Sequence, residues 1–169
     1  MTGAALADAG GVPRVPAGDD LPALLALNNA HAAELSWQAP DAFARLLDRA
    51  CFVRCIGAAD ALLVAFDQDA RYDNPNFAWL AARHPRFVYI DRVVVAAHAR
   101  GRGLARRLYD SLIEYARVHG QQRLVCEINA EPPNPASLAF HRGLGFAPIG
   151  QARLPGGKTV TYFERVLRA

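Results

Sequence analysis

The residues with the most chemical content lie between positions 91 and 106. Val93-Val94-Val95-Ala96-Ala97-His98-Ala99 runs straight into Arg100-Gly101-Arg102-Gly103-Leu104-Ala105-Arg106. Read as the end of a strand, a short loop and the start of a helix, this stretch is an anion site. The N–H groups of a helix's first turn have no partner inside the helix, and the helix dipole favours negative charge there. Glycines remove the side chains that would hold a phosphate away. Arg100, Arg102, Arg106 and Arg107 gather positive charge around the same helix start. The plainer reading is a tight strand–helix turn whose arginines face solvent. Two other nucleotide patterns fail. A dinucleotide fingerprint needs a third glycine where Arg106 stands, with an acid near the end of the next strand, where Glu127 lies. Ala152–Thr159 resembles a P-loop but has Ala152 in place of its first glycine, and it precedes a strand, so it reads as a hairpin turn.

Two further residues carry proton chemistry. Asp91 interrupts the apolar run Phe87–Ala96, and a charge in such a run is costly unless it is paired or faces a cleft. A salt bridge to a neighbouring arginine is the structural alternative. His141 lies on a predicted helix, and a histidine titrating near pH 6.5 can serve as acid or base at neutral pH. A lone helical histidine also serves purely structural ends. The three cysteines, Cys51, Cys55 and Cys126, cannot build a disulfide framework, and no second pair completes a zinc site. They read as free thiols, Cys51 and Cys55 at the spacing of successive helical turns. No metal is expected.

The elements that must position these residues follow from periodicity and punctuation. Residues 1–18 are weakly patterned and read as a loose arm or a short first strand over 12–15. Asp19 or Asp20 caps a first helix with Pro22 in its first turn, running into Asn28-Asn29-Ala30-His31. Asp41 caps a second helix with Phe43, Leu46 and Leu47 inward. Residues 52–57 and 61–67 read as a strand pair. Residues 67–86 lack clear periodicity, which normally marks a functional or disordered segment. The aromatics Tyr72, Phe77 and Trp79 argue against disorder, and a short helix over 77–83 is expected. The run 87–96 is a strand buried on both faces. Residues 104–119 form the clearest helix, with Leu104, Leu108, Leu112 and Tyr115 in step and Gly120 as terminator. A strand over 123–128 precedes a helix over 136–142, capped by Asn134 with Pro135 at its first turn. A closing hairpin spans 146–154 and 159–167. The order βααβββαβαββ implies a mixed α/β (α+β) sheet with helices on its faces.

Length and composition bound the rest. The 169 residues predict a single domain over 1–169. Apolar residues at 52% and charged residues at 21% are those of an ordinary globular chain. The formal net charge is +3, and of the 19 basic residues only Lys158 is a lysine. Arginine's planar fork suits phosphate, so nucleic acid enters as a partner class. It ranks last, because no motif interleaves aromatic with basic residues. No stretch approaches the roughly 20 apolar residues of a membrane span. The start of the chain lacks the positive n-region of a secretory signal. A cytoplasmic protein is the expectation.

Arg100-Gly101-Arg102-Gly103-Leu104-Ala105 after Val93-Val94-Val95 resembles the acetyl-CoA pyrophosphate loop of the GNAT superfamily of N-acetyltransferases, whose pattern is Arg/Gln-x-x-Gly-x-Gly/Ala. Arg100, Gly103 and Ala105 match it. Asn134-Pro-Ala-Ser137-Leu-Ala-Phe140-His141-Arg-Gly-Leu144-Gly145-Phe146 resembles the family's second signature at the expected distance. The match covers roughly residues 87–150.

The resemblance implies a mixed, mostly antiparallel central sheet, splayed at its central strands, with helices on both faces. Val93, Val94 and Val95 would pair with the pantetheine arm. The backbone of Arg100, Gly101, Arg102, Gly103, Leu104, Ala105 and Arg106 would hold the pyrophosphate, and Asn134 and Ser137 would lie beside the thiol end of CoA. His141 stands where the family most often places a tyrosine that protonates the departing thiolate. A histidine there resembles the subgroup acting on small amino acids such as phosphinothricin. Asp91 is the candidate base for the acceptor amine, with Glu34 and His31 as alternatives. His31, Glu34, Tyr72 and Trp79 would line the acceptor side, and residues 67–86 form a family-atypical insertion. The implied activity is direct acetyl transfer from acetyl-CoA to a primary amine in a ternary complex. A small amine or amino acid is favoured over a protein N-terminus. The terminal hairpin offers an edge for a homodimer, by family analogy alone. The competing class is a non-catalytic CoA-binding sensor or regulatory module with the same fold, to which the absent tyrosine lends weight.

Overall fold

The computed structural model of the chain describes residues 11–168. The expected arm over 1–18 therefore lies partly outside the described residues. The helices are α1 (Leu21–Ala30), α2 (Ala32–Leu35), α3 (Pro40–Arg49), α4 (Pro75–Ala81), α5 (Leu104–Val118) and α6 (Pro135–Gly143). The strands are β1 (Phe52–Ile56), β2 (Ala61–Asp67), β3 (Val88–Val95), β4 (Arg123–Glu131), β5 (Ala147–Arg153) and β6 (Thr159–Val166). They form a six-stranded, mostly antiparallel sheet in the order β1-β2-β3-β4-β6-β5. By internal contacts the chain divides into two compact units: Met1–Ala65 with Arg92–Leu112, and Phe66–Asp91 with Ile113–Ala169.

In the first unit, β1 and β2 pair antiparallel from Phe52↔Ala65 to Ile56↔Ala61. The expected strand over 12–15 shrinks to a single bridge, Arg14↔Cys55. Cys55 lies on β1, so the four-residue spacing from Cys51 belongs to a strand and not to helical turns. The cap of α3 is Ala39, with Pro40 at the first position. Asp41 falls inside the first turn, where its charge still favours the helix dipole.

The end of α1 is tied down by two asparagines. Asn28 is fully buried; its amide nitrogen donates to Ser36 O at 3.1 Å and to Asn29 Oδ1 at 3.0 Å. Its oxygen accepts from the buried Arg92 guanidinium at 2.6 Å. Asn29 clasps Gln38 in both directions at 2.9 Å. These bonds fix the break after α1 and the loop that follows α2. Asn28→Ala would remove three hydrogen bonds, one of them from the buried Arg92 guanidinium, and a bond to a buried charged group is worth about 1.5–3 kcal/mol. The expected loss is about 2–4 kcal/mol in chemical denaturation, with the transition still cooperative.

In the second unit, β3 begins parallel to β4 through Val88↔Leu124 and Tyr89↔Val125. β4 pairs antiparallel with β6 from Arg123↔Val166 to Glu131↔Thr159, extending beyond the expected end at Ile128. β5 closes the sheet on β6. The segment after β2 is ordered by a cap that periodicity does not reveal. The Asn74 side chain accepts from the backbone N–H groups of Asn76 and Phe77, so α4 starts at Pro75, before the expected 77. Asn134 caps α6 as expected, its oxygen accepting from Ser137 N at 3.2 Å.

β3 departs from the expectation of burial on both faces. From Asp91 onward it alternates: Asp91, Val93 and Val95 are half-buried, whereas Arg92 and Val94 are buried. That is the pattern of a strand with one face turned to a less filled side.

Candidate active site

In the first unit, β3 ends at Val95, a 3-10 turn covers Ala97–Ala99, and a loop leads into α5. Gly101 and Gly103 have φ of +75° and +73°, a region that L side chains enter only at a cost. A Cβ at either glycine would meet nothing within 4 Å, so the glycines serve backbone shape and leave the space outside the loop clear. Arg107 N donates to Gly103 O at 3.1 Å, and the N–H groups before it belong to the unpaired first turn of α5. Arg100, Arg102 and Arg106 are exposed around this turn, while the Arg107 guanidinium is turned to Gly11 O at 3.1 Å. Asp60 accepts from His98 at 2.9 Å and lies 4.0 Å from Arg102.

Arg100 also reaches His31, Nη2 to Nε2 at 3.2 Å. His31 Nδ1 stands 3.0 Å from Leu27 O. A carbonyl only accepts and a guanidinium only donates, so His31 must be the neutral Nδ1–H tautomer with Nε2 accepting. The first unit thus joins two of the expected residues, one assigned to cofactor and one to acceptor. Glu34 is exposed on α2.

The second unit carries a buried carboxyl network. The Tyr89 hydroxyl donates to Glu127 Oε1 at 3.1 Å. The Asn76 side-chain oxygen accepts from the Tyr162 hydroxyl at 2.9 Å. Asp91 lies close enough to add charge repulsion, and its Oδ1 accepts from the Tyr72 hydroxyl at 2.6 Å. Burial first and Asp91 second push the Glu127 carboxyl up to about 8, against the hydrogen bond from Tyr89 that favours its ionised form. Burial and the neighbouring Glu127 hold the Tyr89 hydroxyl well above its ordinary value, so it remains a donor.

Aromatic rings brace this network. Tyr72 stacks on Phe66 at 4.3 Å. Trp79 stacks on Tyr162 at 4.0 Å, and the Arg83 guanidinium lies 3.5 Å above the Trp79 ring. Of the two aromatics expected to line the acceptor side, Tyr72 therefore touches a candidate catalytic group, while Trp79 is packed on the ring of Tyr162.

His141 is also in the second unit, buried on α6 between Phe140 and Phe146, which meet it edge-on at 5.3 Å and 5.2 Å. Its Nδ1 donates to Ser137 O at 2.8 Å, with Ser137 Oγ at 3.3 Å. Burial lowers its pKa, so the ring is neutral at pH 7 with the proton on Nδ1 and the lone pair on Nε2.

The residues that sequence reasoning passed over are Glu127, Asn76, Tyr89 and Tyr162. Glu127 carried a readable signal, an acid within Leu124-Val125-Cys126-Glu127-Ile128, which is the same kind of interruption that singled out Asp91.

A family model described as "Acetyltransferase (GNAT) family" matches residues 27–146, a span that includes the glycine loop, β3, β4 and α6. The chain belongs to the GNAT acetyltransferase family. Members of this family use acetyl-CoA. A curated L-methionine sulfoximine/L-methionine sulfone acetyltransferase of Pseudomonas aeruginosa is 42% identical over 66 residues, 39% of this GNAT chain. The match spans 37% of that relative's length. Among solved structures, a ribosomal-protein-alanine N-acetyltransferase from Brucella melitensis has 26% identity and a TM-score of 0.71, covering 92% of this chain and 99% of the other. Ard1 from Thermoplasma volcanium shares the fold at TM-score 0.73 with 12% identity, covering 95% and 99%. Among the described residues, no helix is long and apolar enough to cross a membrane.

Proposed function

We propose that this GNAT protein is an N-acetyltransferase that moves the acetyl group of acetyl-CoA directly onto a primary amine. A small amine or amino acid is the preferred acceptor, in keeping with the relative named for methionine derivatives. The observation that carries the reading is Glu127, a buried carboxyl held near neutrality beside Asp91. General bases work best with a pKa close to the working pH, and buried carboxyls tuned into that range mark catalytic sites.

The loop Arg100–Arg106 fits a diphosphate: unpaired N–H groups, glycines with clear space outside them and exposed guanidinium groups. The half-buried Val93 and Val95 suit a strand edge that meets the pantetheine amides, and Asn134 and Ser137 are assigned to the thiol end. Acetyl-CoA supplies the acetyl group as a thioester. An ammonium acceptor must first lose a proton, which ionised Glu127 takes, with Asp91 stabilising the incoming positive charge. The nitrogen lone pair then forms the C–N bond, the C–S bond breaks, and a second proton leaves nitrogen while the departing sulfur is protonated. His141, neutral with the lone pair on Nε2, takes that second proton from nitrogen and hands it to the departing sulfur.

The test is a panel of amines, including L-methionine sulfone, assayed by thiol release from acetyl-CoA. CoA should appear only when a suitable amine is added. Tight acetyl-CoA binding with no release across the panel would favour the sensor reading instead. Asp91→Asn should lower kcat/KM about 10–100-fold in an enzyme and leave acetyl-CoA affinity within about twofold.

A further inference from the structure

Within the first unit, β3 and the glycine loop are tied to the end of α1 at two points. At the first, the buried Arg92 guanidinium on β3 donates to the Asn28 side-chain oxygen at 2.6 Å. At the second, Arg100 Nη2 lies 3.2 Å from His31 Nε2. Residue 28 lies in the last turn of α1, and His31 is its C-cap. The His31 ring is itself fixed: Nδ1 donates to Leu27 O at 3.0 Å, one of the carbonyls at the helix end that lack an intrahelical partner. With the proton on Nδ1, Nε2 offers only its lone pair, and the guanidinium only donates. Both ring nitrogens are thereby engaged. The other arginine contact at the loop is of a different kind. Arg102 lies 4.0 Å from the Asp60 carboxylate, whose charge offsets its own. Neutral His31 holds the Arg100 guanidinium without cancelling its charge, and it takes one of the five N–H donors of the fork. Arg100 is otherwise exposed. A long exposed side chain loses rotamer freedom when it grips a phosphate, and one already held loses less.

We propose that His31 is a positioning residue for the cofactor: anchored on Leu27 O, it holds the Arg100 guanidinium, charge intact, ready for the diphosphate of acetyl-CoA. The proposal rests on the reading of the glycine loop as the diphosphate site. It moves His31 from the acceptor side to the cofactor side, since a ring with both nitrogens engaged has no spare lone pair for a base's work. It also gives the buried Arg92–Asn28 bond a purpose, because that bond sets the end of α1 against β3 and so fixes where His31 meets the loop.

The experiment is a double-mutant cycle on acetyl-CoA binding, by calorimetry with the full chain. Arg100→Ala should weaken binding about 10–100-fold, the weight of hydrogen bonds to a charged group. His31→Ala should weaken it about 3–10-fold, the weight of ordering one long side chain. In the Arg100→Ala background, His31→Ala should change affinity by less than about twofold, because its partner is already gone. His31→Gln should bind within about twofold of wild type, since its amide can donate to Leu27 O while its oxygen accepts from Arg100. If His31→Ala does not fold, the cycle is run with His31→Phe, which keeps a ring on α1 and offers no acceptor. An equal loss from the His31 variant with and without Arg100, or no loss in either background, overturns the proposal. An unchanged affinity in Arg100→Ala does the same. Gly103→Asp separates these failures from failure of the site itself. If it binds acetyl-CoA as the wild type does, the loop is not the diphosphate site and the role of His31 falls with it. If it loses binding while the His31 variants keep theirs, the loop stands and His31 is a cap of α1 alone.

Discussion

Gly103→Asp is expected to weaken acetyl-CoA binding by at least about 100-fold in calorimetry, or about 2.7 kcal/mol. Gly103 sits at φ +73°, and an L residue held there costs roughly 1–2 kcal/mol. Relief of that strain would rotate the first N–H groups of α5 away from their common direction, which is the basis of the anion site. The new side chain would project where a Cβ meets nothing within 4 Å, into the space the diphosphate is assigned. Its carboxylate adds repulsion between like charges, and two such charges 4 Å apart oppose each other by roughly 1–4 kcal/mol. The control is Gly156→Asp. Gly156 lies in the turn between β5 and β6 with φ +97° and equally open surroundings. It should incur similar strain, and a similar fall in Tm, with acetyl-CoA affinity kept within about twofold. Wild-type affinity in Gly103→Asp would remove the phosphate assignment from this loop.

The shape of this loop was legible because its cues are local. A strand, two glycines, arginines and a helix follow one another within a dozen positions, and each obeys a short-range rule. The Asn134 cap and Pro135 at the start of α6 were legible for the same reason. The Asn74 cap was not, because it is buried in a stretch whose aromatics are spaced for contacts with distant residues and not for helical periodicity. Tyr72 stacks on Phe66 and bonds Asp91, and Trp79 turns to Tyr162. The alternation of β3 from Asp91 onward was hidden by valines, which look alike whether half-buried or fully covered. Glu127 shows the limit most clearly. Its acid in an apolar strand was visible, but its meaning comes from Tyr89, 38 residues away, and from the burial that packing around it imposes. No local pattern announces a carboxyl network closed across such distances. The arginine excess resolves in part: Arg100, Arg102 and Arg106 surround one helix start, while Arg92, Arg107 and Arg123 are engaged with Asn28, Gly11 and Glu164.

Glu127→Gln should lower kcat/KM by about 100–1,000-fold at pH 8.5, the usual weight of a general base. In the wild type the rate should climb as pH rises through about 8, since the proton on Glu127 must leave before the carboxyl can accept another. The glutamine variant should lose that limb. Stability moves the opposite way, and its sign follows from where the proton sits. Glu127 is raised from its ordinary 4.5 to about 8, so between these values the folded chain still holds a proton that the unfolded chain has released. Ionisation then pulls the equilibrium toward unfolding, and the penalty grows from pH 4.5 to 8 and levels off above. Glutamine has no proton to lose. The Tm of Glu127→Gln relative to wild type should therefore rise across that window, by on the order of 10 °C for the roughly 5 kcal/mol that a rise from 4.5 to about 8 represents in a chain of this size. A site that both slows catalysis and stabilises the fold when neutralised is one where buried charge is kept for chemistry. If the variant retains rates within about threefold and its Tm difference is the same at pH 5 and pH 8.5, Glu127 is a structural acid. The base must then be sought in Asp91, whose carboxylate lies 2.6 Å from the Tyr72 hydroxyl.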